Sequence, residues 1–375
     1  MASRAFRIRR PSRLLAGLVA GALLLVAAPI AHAVGHWHAS GKLHQARYLE
    51  TMNLLPGGKV LVTGGFSFKI LATTELYDPA TGTWSYGAPF YSPRFSHSAT
   101  TLADGSILIA GGGNLTAGYL DSAERYVPAA DTWVPAGRIP GPRDNHTATL
   151  LADGRVLVAG GYNGLGPAVR TAALYDPVTN RWSRAASMRT ARYHQTATLL
   201  KNGRVLVVGG EQQDSQGGIT LISSSEIYDP ARNRWKTAAA LPYGVANHTA
   251  TLLHDGRVLV VGGGDRQPGF HAGAEIYDPK HNHWSPAASL PQPRAFQVAV
   301  RLRDGRVLVA GGINDKGALG AAELFDPRRN AWSPAARLAP AFSQAATLLA
   351  DGRVLVAGGR SYQGIPTASS SIYDR

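Results

Sequence analysis

Short apolar or alternating runs of about four to six residues recur along the chain, each bounded by turn residues. In "HTATLLADGRVLVAGG", the runs "HTATLL" and "RVLVAGG" flank Asp153-Gly154, a two-residue signal for a tight hairpin. A loop of variable length follows. Then "AALYDP" reads as a third strand, Asp-Pro-Val-Thr-Asn as a turn, and "RWSRAA" as a fourth strand. The pattern predicts four antiparallel strands in sequence order, with a second strand apolar at almost every position and therefore buried on both faces.

This unit repeats. Gly-Gly pairs start at 64, 111, 160, 209, 262, 311 and 358, and a "YDP"-like element starts at Tyr77, Tyr126, Tyr175, Tyr228, Tyr277, Phe325 and Tyr373. The seven tryptophans are spaced 47, 49, 49, 53, 49 and 48 residues apart. A period near fifty predicts an all-β propeller with one four-stranded blade per repeat. The last unit, from Ala341 to Arg375, lacks a tryptophan strand, whereas "GHWHASG" at 35–41 is a tryptophan strand with no blade before it. Pairing the two predicts seven complete blades, closed by the N-terminal strand.

The unit "ARYHQTATLLKNGRVLVVGG…SEIYDPARNRW" resembles a kelch repeat, with its double glycine, tyrosine and tryptophan. The resemblance covers residues 34–375 and implies a seven-bladed kelch β-propeller. It leaves function open, because kelch propellers serve as enzymes, scaffolds and binding modules. The double glycines are expected to make room for the rings of the tyrosine or the tryptophan strand.

The ends and the composition narrow the setting. Residues 1–33 carry five arginines, an apolar run and the small-residue site Ala31-His32-Ala33, the pattern of a signal peptide cleaved after Ala33. An exported chain, secreted or periplasmic, is expected. Loss of that segment lowers the formal net charge from +14 to +9. There is no cysteine, which excludes disulfides, a thiol nucleophile and thiolate metal ligands.

Candidate chemistry collects on the face that carries the variable loops. Eleven residues before each hairpin glycine stand Arg47, Arg94, Arg143, Arg192, Val245, Arg294 and Ala341. Tyr48, Phe95, Tyr193 and Phe296 follow some of these arginines. Arginines among aromatics suit an acidic glycan or an acidic peptide. The competing reading is structural: Glu75, Glu124, Glu226, Glu275 and Glu323 recur two residues before the tyrosine position, as partners for internal ion pairs. Arg143, whose blade lacks that glutamate, is then the expected free charge. Eight residues before the hairpin glycine stand Glu50, His97, His146, Gln195, His248, Gln297 and Gln344. Exchange of histidine with glutamine points to hydrogen bonding at a channel rim, and neither metal nor cofactor is expected.

These features favour a non-catalytic binding propeller. Its expected partner is an acidic polysaccharide or a protein on the variable-loop face, not nucleic acid. Two enzymatic alternatives come from the resemblance. One is a carbohydrate isomerase or mutarotase of the exported kelch type, whose ring resembles six blades. The other is a copper radical oxidase of the galactose-oxidase type, whose cofactor requires a cysteine that this chain lacks.

Overall fold

The structure, a computed structural model, describes residues 35–375 apart from 167, 214–215 and 266–268. The expected signal peptide lies outside the described residues. No helix among those residues is long and apolar enough to cross a membrane.

Seven four-stranded antiparallel sheets form the blades. Blade one is representative, with strands Thr51–Leu54, Val60–Thr63, Thr74–Asp78 and Thr83–Gly87 running from the central channel outward. The second strand of every blade is buried at all four positions, as in Val60–Thr63, Val156–Ala159 and Val354–Ala357. Its two apolar faces pack against the two neighbouring blades. Seven apolar clusters result, one at each interface, such as Leu108 and Ala123 of blade two against Val156, Val158 and Tyr175 of blade three.

The seventh blade closes as the repeat predicts. Its strands Ala345–Leu348, Val354–Ala357 and Thr367–Asp374 are completed by His36–Arg47, with Trp37 opposite Tyr373 and Ala39 opposite Ser371. The bond from Trp37 Nε1 to Ala336 O, 2.7 Å, ties this strand to blade six. Every tryptophan makes the same stitch to the blade before it: Trp84 to Ser40 O, Trp133 to Ala88 O, Trp182 to Ala136 O, Trp235 to Ala186 O, Trp284 to Ala239 O and Trp332 to Ala288 O. Each tryptophan also packs on the tyrosine, or Phe325, of its own blade at 5.0–5.2 Å. The indole therefore serves two surfaces at once, which accounts for its presence in every repeat.

The double glycines answer to a different cause from the one expected. A Cβ on Gly111 would strike Arg143 O and the His146 ring, and one on Gly160 would strike Arg192 O and Gln195. The space above the first glycine belongs to the channel-rim residue of the next blade, not to the tyrosine or the tryptophan strand. The second glycine faces a carbonyl of its own blade, as Gly112 faces Phe95 O, and both glycines have positive φ.

Candidate functional site

The repeated arginines are interior struts. Arg47, Arg94, Arg192 and Arg294 are fully buried, and Arg143 is 1% exposed. In blade two, Arg94 donates to Gly111 O and Ser122 O through Nη1, and to Ser122 Oγ and Glu124 Oε1 through Nη2, at 2.8–3.1 Å. Glu124 in turn accepts the backbone N–H groups of Tyr91 and Ser92. Arg47–Glu75, Arg192–Glu226 and Arg294–Glu323 pair within their own blades in the same way. Each guanidinium thereby pins the entry of the innermost strand to the Gly-Gly turn and the third strand.

Arg143 is not a free charge. It donates to Gly160 O, Thr171 O and Thr171 Oγ1, and burial without a carboxylate lowers its pKa to about 10. None of these five guanidiniums reaches the surface. On the opposite face, the turn arginines Arg155, Arg257, Arg306 and Arg353 pair with Asp153, Asp255, Asp304 and Asp351 two residues earlier.

The channel mouth is built one level above the struts. A cavity of about 320 Å³ is lined by Glu50, His97, His146, Gln195, His248, Gln297 and Gln344, and by the residue preceding each of them. Those preceding residues are Leu49, Ser96, Asn145, His194, Asn247, Phe296 and Ser343, all left-handed with φ between 48° and 58°. Such a backbone costs a non-glycine residue about 1–2 kcal/mol. Hydrogen bonds compensate here: Ser96 N donates to Leu49 O, Asn145 N to Ser96 O, His194 N to Asn145 O, Asn247 N to His194 O, Phe296 N to Asn247 O and Ser343 N to Phe296 O. This ladder crosses every junction except the one between blades seven and one.

Each rim histidine faces a neighbouring hydroxyl. His146 Nε2 lies 2.8 Å from Ser98 Oγ, His248 Nε2 lies 2.8 Å from Thr196 Oγ1, and His97 Nε2 lies within 3.2 Å of Thr51 Oγ1 and Thr63 Oγ1. Burial lowers His146 and His248 to about 3 and pushes His97 well below the ordinary histidine range, so all three are neutral. Glu50 shares their position, but neither carboxylate oxygen has a partner, and burial raises its pKa to about 8.

Around this mouth runs a collar of rings. Tyr119, Tyr162, Tyr193, His194, Phe296 and Phe342 follow one another at 4.9–6.3 Å. The Arg360 guanidinium carbon lies over both Phe342 and Tyr48, 4.6 Å from each ring centroid, and Tyr48 leads on to Phe66 and Phe95. Tyr48, Phe95 and Tyr193 are thus gathered where the sequence placed them, while the arginines beside them point inward. Arg360 is the residue that sequence reasoning missed. It follows the double glycine directly, at a position that holds Phe66, Gly113, Tyr162, Glu211, Gly264 and Ile313 in the other blades. Counting forward from the glycines, as well as back from the hairpins, finds it.

Residues 55–90, 145–189 and 247–291 match the kelch motif. This chain is a kelch-repeat propeller. Its sequence matches none of the curated proteins. Among solved structures, the kelch propeller is similar to a fungal alcohol oxidase of the AA5 family in complex with copper. The TM-score is 0.75 at 20% identity, over 91% of this chain and 76% of that one. It is also similar to YjhT, with a TM-score of 0.60 at 18% identity, over 79% of this chain and 99% of that one. Likeness at such identities shows the fold alone.

The copper of the first relative can be tested against the donors present here. No group of three or more histidines, cysteines or carboxylates among the described residues could hold a metal ion. The chain also has no cysteine to link to a tyrosine. The residues do not fit that cofactor.

Proposed function

We propose that this kelch propeller is an exported, non-catalytic binding module that holds an acidic glycan across its channel mouth. Arg360 carries the reading. Its guanidinium is clasped between two rings, its Nε has no hydrogen-bond partner, and none of the ion pairs among the described residues includes it. A planar cation held between two rings in this way is preorganised for a carboxylate or a sulfate. Phe296 lines the mouth and can stack against a pyranose ring, and Asn145, Asn247 and Ser96 supply polar groups for hydroxyls.

Calorimetry with oligouronates and their neutral counterparts tests this. Arg360→Gln should weaken uronate binding on the order of tenfold or more, the scale of a charge-assisted hydrogen bond, and leave neutral oligosaccharides unaffected. Added salt should weaken the parent complex. Equal affinity of parent and variant for every acidic oligomer would remove the proposal.

A further inference from the structure

At two paired collar positions where no other blade carries an acidic residue, blades three and four carry carboxylates. The backbone bridges Tyr48–Phe66, Asp144–Tyr162, Tyr193–Glu211 and Phe342–Arg360 show that these positions are equivalent. Asp144 thus replaces an aromatic ring, and Glu211 occupies the site that Arg360 fills in blade seven, three blades away around the axis.

Both carboxylates are held inside the wall, Asp144 at 5% exposure and Glu211 at 3%. Each keeps an unpartnered oxygen, Asp144 Oδ1 and Glu211 Oε2. His194 lies with them. Its Nδ1 is 2.8 Å from Glu211 Oε1, and its charge acts on Asp144. The imidazole is a quarter exposed, lines the cavity, and packs against Tyr193 and Phe296. One imidazole can neutralise at most one of two carboxylates. The neighbouring guanidinium of Arg143 is turned to Gly160 O and Thr171 instead, so the second carboxylate stands in a partly dry setting beside rings that favour a cation. Burial raises Asp144 to about 6, and a cation seated beside it would draw that value down.

We infer that the wall formed by Asp144, His194 and Glu211 is a subsite for a protonated amine. The mouth then takes a glycan bearing an unacetylated amino sugar as well as an acidic group. The inference rests on the glycan reading above and narrows its ligand class: the acid meets Arg360, and the amine meets blades three and four.

Three probes separate the two ideas: glucosamine oligomers, N-acetylglucosamine oligomers of equal length, and oligouronates. Glucosamine oligomers should bind about tenfold more tightly than the acetylated ones, because acetylation removes the charge. Asp144→Asn with Glu211→Gln should abolish that preference while oligouronates bind at least as well as before. Should the double variant fold poorly, by near-ultraviolet circular dichroism, Asp144→Asn alone should halve the preference or more. Equal affinity for free and acetylated oligomers, with oligouronates still bound through Arg360, would overturn the amine subsite alone. The same holds if the preference survives in a folded double variant. Failure of all three probes to bind would overturn the glycan reading and this inference with it.

Discussion

Removing residues before 46 should leave a propeller that cannot close, with aggregation in place of a monomer. The strand His36–Arg47 covers the edge of Thr367–Asp374 in the register Trp37–Tyr373, His38–Ile372 and Ala39–Ser371. Without it, that edge presents unpaired backbone groups to any other chain. The loss reaches both neighbouring interfaces. Trp37 packs in the cluster between blades six and seven, and Leu43, 3% exposed, packs in the one between blades seven and one. Deleting buried side chains of this size costs about 2–5 kcal/mol each. The buried hydrogen bonds that Ser40 makes with Ser370 and Trp84 would go too. Light scattering should report oligomers, and the melting temperature should fall by well over 10 °C, given a few degrees for each kcal/mol. A synthetic peptide spanning 36–45, added in trans, should restore a monomer. A truncated chain that remains monomeric and melts with the parent would show that the latch does not hold the ring.

Glu50→Gln is expected to stabilise the protein, and increasingly so with rising pH. Unfolded, Glu50 ionises near 4.5; folded, burial keeps it protonated up to about 8. Between those values the unfolded chain is the state that releases the proton. Native stability therefore falls as pH rises through this window and levels off above it. Glutamine removes the titration. At pH 4 parent and variant should be alike. Above pH 8 the variant should lead by on the order of 3–5 kcal/mol, taking about 1.4 kcal/mol per pH unit. The substitution also has a template in the ring itself. Gln195 and Gln297 donate Nε2 to Ala159 O and Val261 O, the residues before the double glycines of the preceding blades. A glutamine at 50 has Ala357 O in the same place. Denaturant unfolding near pH 5 and near pH 8.5 decides the matter. Identical pH profiles for the two proteins would mean that Glu50 ionises normally in the fold.

What repeats along the chain is legible in the sequence alone. The spacing of Trp37 through Trp332 yields the blade count, and the tryptophan missing after Tyr373 locates the latch. The Arg–Glu pairs are visible because each member sits at a fixed distance from its own marker, as Arg94 stands eleven residues before a hairpin glycine and Glu124 two before a tyrosine. What differs between repeats is harder to read. Arg143 looks unpaired when only a carboxylate counts as a partner, yet backbone carbonyls and Thr171 satisfy it. A sequence does not display carbonyl acceptors. The glycine pairs suggest aromatic neighbours in their own blade, whereas the group that needs the space comes from the next one. Arg360 and Glu211 are inconspicuous because they begin loops of unequal length, beyond which the seven repeats no longer align.

The left-handed ladder at the channel mouth has an evolutionary consequence. Leucine, serine, asparagine, histidine and phenylalanine all occupy the same strained backbone there, held by main-chain hydrogen bonds that ignore the side chain. Folding is therefore inherited through positions other than those the mouth displays. A lineage can exchange what the mouth displays while its tryptophans, glycines and buried struts stay fixed, so a new specificity need not pass through an unfolded ancestor.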